Sequence, residues 1–262
     1  MQKRVRVRRD RPSALSWALA LAVTMLAVYL ITLSAPRPDD AEEAAAPGVR
    51  VTREIDLEGA ALYLADLGAH PDALSARVSA AGYAGRGAAA VVLADGDGYH
   101  VLGAGYSLQA DAERIARQLA DREGAQTGVI ARSASAVSLR VTASEADAEA
   151  LAAADRALRV QLDQAASMAL QIDRGELPSS SARTLARVAA SEARRASEAL
   201  AEVAGAESQP VCAGLIGLLD DLARGLETAA GCGETGAALS GRLRCCHVTG
   251  MLGLIGFLNG LA

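Results

Sequence analysis

The sequence predicts an α+β protein with three parts: a membrane anchor helix, a βαββαβ domain of the ferredoxin or RNP type, and an all-α helical bundle. An uncharged apolar run at 13–35 indicates the anchor. Strand and helix patterns that alternate over 51–132 indicate the mixed domain. Beyond 143 only helical periodicity remains, so we expect helices over 144–262.

The N-terminal part has the features of a transmembrane helix. Its apolar run of about 23 residues is long enough to cross a hydrocarbon core of ~30 Å. A basic tail at 1–12 carries a charge of +5, and acidic residues follow the run. The positive-inside rule therefore places the N terminus in the cytoplasm and the rest outside. We expect a cell-membrane protein with one span.

A cleaved signal peptide is the alternative interpretation of this segment. Leu33, Ser34 and Ala35 resemble a cleavage site for signal peptidase. The apolar run is longer than a signal-peptide core of about 7–15 residues, which favours the retained anchor. Residues 36–50 are rich in proline, alanine and acidic residues, a composition typical of a flexible linker.

The charge of the remaining chain argues against nucleic acid as a partner. The whole chain has a formal charge of −5. Because the tail alone carries +5, the rest carries −10. Nucleic-acid binding needs clustered positive charge, which this acidic body does not provide.

The mixed domain is predicted element by element. We expect strands near 61–67, 88–93, 99–104 and 127–130, and helices near 71–81 and 110–123. The segment 94–98 (ADGDG) lies between two apolar runs, as a hairpin loop does. This order predicts an antiparallel four-stranded sheet with two helices on one face.

Four helices are predicted after this domain. Leu151 to Ile172 marks the first, which Gly175 and Pro178 end, and Ser179 to Ser181 caps the second. In each later helix the apolar positions predict which face lies in the core. In the second helix these predicted core positions are Leu185, Val188, Ala189, Ala196, Leu200 and Val203. Short connections favour an antiparallel bundle.

The last 15 residues carry no charge and contain four glycines that would allow close helix approach. We expect this tail to be buried in the bundle, with membrane contact or self-association as alternatives. Four cysteines lie in the last fifth of the chain, either as apolar core residues or with one disulfide among them. They are Cys212, Cys232, Cys245 and Cys246.

Two sequence blocks resemble the SPOR (sporulation-related repeat) family. The segment YLADLGAH at 63–70 resembles the family's first strand, and YHVLGAGY at 99–106 resembles its later strand. Gly82 and Tyr83 match the Gly-Tyr that ends the family's first helix, and Ala112 matches an alanine of the second. The resemblance covers under a third of the chain and implies binding to peptidoglycan glycan strands that have lost their stem peptides.

Several positions depart from the family pattern. Asp66 replaces a glutamine, His70 a phenylalanine and Ala104 a glycine. His100 and Leu102 replace two arginines.

The resemblance implies a binding surface on the open face of the sheet. Strand alternation places Leu62, Leu64 and Asp66 on that face, and it places His100 and Leu102 there as well. The candidate glycan-binding residues are Leu64, Asp66, His100, Leu102 and Tyr106. A solvated sheet face without a ligand, and core packing for the tyrosines, are the alternatives.

No enzyme is expected. The histidines are few and scattered, and no serine or cysteine lies in a nucleophile elbow. Asp220 and Asp221 are typical of a solvated helix face, and the glycines near 96–98 do not open a helix. We therefore predict no catalytic residue, no metal site and no cofactor.

The functional hypothesis is a membrane-anchored, non-enzymatic peptidoglycan-binding protein of cell division or sporulation. The alternative is an envelope scaffold or assembly protein, in which the SPOR-like domain is a structural adaptor and the helical bundle binds a protein partner or self-associates.

Overall fold

A computed structural model describes residues 51–96, 98–123, 127–203, 209–233 and 236–262. These residues belong to the second of two compact units, Val49–Ala262. The basic tail, the anchor at 13–35 and the linker lie outside the described residues. In the described part of the chain, no helix combines the length and the apolar character that a membrane crossing requires.

The described unit contains six strands followed or interrupted by six helices. In chain order they are β1 Val51–Leu57, β2 Ala60–His70, α1 Ala73–Ala84, β3 Val91–Asp95, β4 Gly98–Tyr106, α2 Gln109–Glu123, β5 Gly128–Ala134, β6 Val137–Ala143, α3 Glu145–Asp173, α4 Ser179–Ala201, α5 Pro210–Gly231 and α6 Gly236–Leu261. The predicted βαββαβ order corresponds to β2 through β5. Its sheet is antiparallel with strand order β3-β4-β2-β5.

Strands β1 and β6 were not predicted, and they pair with each other in a second, two-stranded antiparallel sheet. Ala60 lies opposite Ala134 in the β2–β5 pair, and Leu57 lies opposite Val137 in the β1–β6 pair. The two pairs keep the same register, so they form one long antiparallel ribbon with a break between them. The predicted end of the domain at 132 falls within β5, and the ribbon continues to Ala143.

The break in the ribbon lies at Gly59, where two backbones come unusually close. A Cβ atom at Gly59 would lie 2.8 Å from the carbonyl oxygen of Ala134. Arg159 on α3 donates hydrogen bonds to the carbonyl oxygens of Glu58 and Gly59, the latter at 3.2 Å. Its Nε atom also lies 3.0 Å from a carboxylate oxygen of Asp155. Arg159 therefore connects the bundle to the ribbon at this break.

The bundle follows the predicted helices, with corrections at α4. A capping box of Ser144 and Asp147 begins α3, and Gly175 follows its end with a φ of 72°. Pro178, rather than a serine of 179–181, is the N-cap of α4, and no side chain caps it. The predicted core positions Leu185 and Val188 are 46% and 53% exposed.

Alanines form the core face of α4 in place of these larger residues. The buried alanines of α4 are Ala182, Ala186, Ala189, Ala190 and Ala193. Small side chains let α4 lie close to its neighbours, and that close approach turns Leu185 and Val188 outward. The predicted core positions Ala189 and Leu200 are buried, so the prediction is wrong only at Leu185 and Val188, which hydropathy ranks above alanine.

Helix α6 is the shared element of the fold, as it packs on the bundle and on the sheet. Val248, Leu254 and Leu258 have no exposed surface, which confirms the predicted burial of the uncharged tail. A Cβ atom at Gly253 would lie 2.7 Å from Leu218, and one at Gly250 would overlap Leu162. Both glycines therefore permit close helix approach, as the sequence predicts.

Candidate functional site

The two faces of the sheet are both covered. Helices α1 and α2 pack on the face that holds Leu67 and Val101. The other face, predicted to be open, packs against α6 and the bundle. Leu62, Leu64 and Leu102 on this face are 1%, 0% and 0% exposed and belong to the same apolar core as the bundle helices. The expectation of an open face is therefore wrong.

Contacts along α6 show how the face is covered. The imidazole of His247 lies against Gly105 of β4, where an added Cβ would approach the ring to 3.4 Å. Asn259, near the helix end, donates to the carbonyl oxygen of Ser133 at 3.3 Å. Strand alternation correctly separated the side chains of this face from those of the face that α1 and α2 cover. Alternation carries no information on which later helix would cover a face.

Two of the predicted site residues are brought together. One carboxylate oxygen of Asp66 lies 2.8 Å from Nδ1 of His100, and the other accepts the backbone N–H of Gly68 at 3.0 Å. Asp66 is 8% exposed, and Gly68 has a φ of 139°. The β2–β4 register shifts at this carboxylate. The Asp66–His100 pair therefore provides hydrogen-bond partners for polar groups at an irregular part of β2.

Tyr106 lies apart from the other predicted residues. It is opposite Tyr63 in the β2–β4 register and faces the side of the sheet that α1 and α2 cover. Burial raises the pKa of its hydroxyl above the usual value of 10.0. The five candidate residues therefore divide between the two faces and do not form one surface. Their proposed role in glycan binding stays a prediction.

Sequence reasoning missed a cleft between α1 and α2, which we call the α1–α2 cleft. Its volume is about 220 Å³. Small residues of the sheet form its floor, and side chains from α1, α2, β4 and α6 form its walls. The lining includes Ala65, Tyr83, Arg86, Gly103, Ala104, Tyr106, Ile115, Leu119 and Arg244. The consecutive small residues at 103–105 are the sequence signal that could have indicated it.

The cysteines and histidines do not assemble a reactive centre among the described residues. All four cysteines are free thiols. Burial raises the pKa of Cys246 to about 12, which keeps it protonated and unreactive at neutral pH. Within the described part of the chain, no group of three or more His, Cys, Asp or Glu side chains is placed to hold a metal ion. The expected absence of an enzyme activity stays a prediction.

Comparison with known proteins does not assign a family. No family model, no curated protein and no solved structure matches the chain. The SPOR resemblance therefore rests on the two sequence blocks and on the order of the elements.

Proposed function

We propose that this chain is a non-enzymatic adaptor of the cell envelope, held by its N-terminal anchor, whose bundle binds a protein partner or a second copy. The observation that carries the proposal is the position of α6 on the sheet face. In this arrangement the βαββαβ domain serves as a structural platform for the bundle. The predicted topology of the anchor supports a location outside the cytoplasm.

Helix α6 covers three buried leucines of the sheet face. Burying a leucine side chain contributes roughly 1.5–3 kcal/mol, so exposing Leu62, Leu64 and Leu102 would cost about 5 kcal/mol or more. A ligand that had to displace α6 would bind over a thousandfold more weakly, at about 1.4 kcal/mol per factor of ten. Since α6 also forms part of the bundle core, displacing it would disrupt both layers.

The bundle offers an exposed apolar pair on α4 for such a partner. Leu185 and Val188 lie one turn apart and are about half exposed. Arg187 lies between them in sequence but points away from them around the helix, because successive residues are 100° apart. A partner that packs on Leu185 and Val188 would therefore leave Arg187 at the margin of the contact.

Site-specific crosslinking in cells tests the adaptor proposal. A photoreactive residue at position 185 or 188 is expected to give a discrete crosslinked product, and the same residue at position 187 is the matched control. Equal products at all three positions, or none at 185 and 188, would count against a defined interface on this face. The size of the product distinguishes a second copy from a different protein.

A second candidate is the peptidoglycan binding that the SPOR resemblance implies, in division or sporulation. The βαββαβ order of β2 to β5 supports it. The full-length chain should be used for this test, since an isolated sheet domain would expose the leucines under α6. Retention on sacculi that increases after amidase treatment would support glycan binding. Unchanged retention is the result expected for the adaptor.

A further inference from the structure

Helix α1 is apolar on its outer face as well as on the face that packs on the sheet. Ala76 and Ala80 are buried toward the sheet. Leu74 and Val78 lie on the opposite face, because residues four apart share one side of a helix. They are 73% and 68% exposed, more than any other large apolar side chain in the described part of the chain. A helix that is apolar all round is usually covered on all sides. The outer face of α1 therefore has the composition of a covered surface.

The charge of α1 lies at the margin of this outer face. We call Leu74, Val78 and Ala81, which are all exposed, the outer strip of α1. Arg77 is exposed and lies about 60° from Leu74 around the helix, at the edge of the strip. Residues 73–84 contain no acidic side chain, although the chain beyond the basic tail is acidic as a whole. Asp72 precedes the helix as its N-cap. The outer strip is thus apolar with a positive margin.

The size of the outer strip argues against a protein as its partner. Helix α1 has 12 residues, so the strip is about 18 Å long and, at one helix width, covers roughly 180 Å². A standard protein interface buries about 800 Å² on each partner. Next to the strip, α2 exposes charges of both signs, such as the ion pair of Arg114 and Asp111. The apolar surface that a protein would cover therefore ends at α1 itself.

The chain that precedes β1 limits how far the described unit is from a membrane. The apolar run at 13–35 is the predicted anchor, and the linker 36–50 follows it with 15 residues. Fully extended, this linker spans at most about 50 Å. Two aliphatic side chains bury less hydrocarbon than one acyl chain, which alone binds a bilayer only marginally. A tether compensates for this weak affinity, because it keeps the local concentration of the helix at the bilayer high.

We propose that α1 docks on the surface of an anionic lipid bilayer, with Leu74 and Val78 at the boundary of the acyl chains and Arg77 at the lipid phosphates. An interfacial helix lies in the plane of the membrane, with its apolar strip toward the acyl chains. An arginine at the margin of the strip extends its guanidinium to the headgroups. This inference rests on the membrane anchor of the proposed function and adds a second membrane contact to it.

The position of α1 in the fold is compatible with the adaptor function. Helix α1 packs on one face of the sheet, and the bundle packs on the other. A membrane on the α1 side therefore leaves Leu185 and Val188 of α4 available to a protein partner. The two contacts use separate surfaces of the same unit.

Photocrosslinking of the full-length chain in lipid vesicles tests the docking. A photoreactive residue replaces Leu74 or Val78, and the matched control carries it at Val160, which is 50% exposed on α3 in the bundle. The vesicles consist of phosphatidylcholine alone, or of phosphatidylcholine and phosphatidylglycerol in equal parts. In the anionic vesicles, lipid adducts at 74 and 78 should exceed those at 160 about tenfold, because only the outer strip is buried in lipid.

A charge variant tests the role assigned to Arg77. Arg77→Gln should lower the yield of lipid adducts at 78 about fivefold in anionic vesicles, since one arginine near an anionic surface contributes roughly this factor. In phosphatidylcholine alone the yield should not change. Arg156→Gln, an exposed arginine of α3, is the matched control and should leave the yield unchanged in both kinds of vesicle.

Carbonate extraction of the same vesicles measures the anchor separately from the docking. Release of the chain would contradict the anchor, and the yields at 74 and 78 would still decide the docking, because the vesicles were present during crosslinking. The docking proposal is overturned by equal lipid yields at 74, 78 and 160, by adducts with protein rather than lipid at 74 and 78, or by an unchanged yield in Arg77→Gln.

Discussion

The carboxylate of Asp66 binds the imidazole of His100, with 2.8 Å between Oδ2 and Nδ1. The same carboxylate accepts the backbone N–H of Gly68, whose positive φ belongs to the irregular part of β2. Both side chains were candidates for ligand binding. Their mutual contact instead indicates that they stabilise the β2–β4 pairing.

This contact predicts different costs for two substitutions of Asp66. Asp66→Leu leaves the N–H of Gly68 without its acceptor and should lower the free energy of unfolding by about 1–3 kcal/mol. Asp66→Asn keeps an oxygen in place and should cost less than about 1 kcal/mol. Urea denaturation of the full-length chain measures both. Equal losses in the two variants would contradict a role for the Gly68 hydrogen bond.

Two glycines of α6 should respond oppositely to alanine. Gly250→Ala places a methyl group against the buried Leu162 and should lower the free energy of unfolding by about 1–3 kcal/mol. Gly256→Ala in the same helix meets no atom within 4 Å and should raise it by about 0.5–1 kcal/mol. Thermal or urea unfolding compares the pair. A stabilising effect at Gly250 would show that α6 does not approach α3 this closely.

Arg159 stabilises the ribbon at its break beside Gly59. Arg159→Met removes the donor to the carbonyl oxygens of Glu58 and Gly59 and leaves the buried carboxylate of Asp155 unpaired. We expect a loss of about 3 kcal/mol in the free energy of unfolding. Arg156→Met, one turn away and exposed, is the control and should change stability by less than about 0.5 kcal/mol. Similar losses of unfolding free energy in both variants would contradict the role assigned to Arg159.

His247 makes the stability of the fold depend on pH. Burial lowers the pKa of its imidazole below the usual 6.5, with a smaller opposing effect from Asp163. The unfolded chain therefore binds a proton more readily than the folded chain. The contribution of His247 is present above pH 6.5 and is lost as the pH falls from 6.5 through the lowered pKa of the folded state.

Unfolding experiments at pH 7.5 and pH 5.5 measure this dependence. The wild-type chain should lose more stability between these values than His247→Gln, which carries no titrating group at this position. A larger loss in His247→Gln than in the wild type would reverse the assigned sign.

The local pattern of the sequence determined much of the secondary structure. Period-two alternation located β2 and β4, and the Gly-Asp repeat at 94–98 separated β3 from β4, because these signals depend only on neighbours in the chain. Gly175 and Pro178 marked the end of α3 for the same reason. Strands β1 and β6 were missed although the period-two signal is present, since β6 alternates apolar and polar residues throughout and in β1 Arg53 alone breaks the alternation.

The tertiary structure decided what each face of the sheet contacts. Strand alternation assigned Leu64 and Leu102 to one face, but burial by α6 depends on residues more than 130 positions later in the chain. Close packing through alanine and glycine likewise turned Leu185 outward and brought α6 onto the sheet. How closely a helix approaches another helix or a sheet depends on the shapes of both surfaces, so the hydropathy of one segment does not determine this distance. The α1–α2 cleft arises in the same way, from the spacing of two helices above a bulged strand.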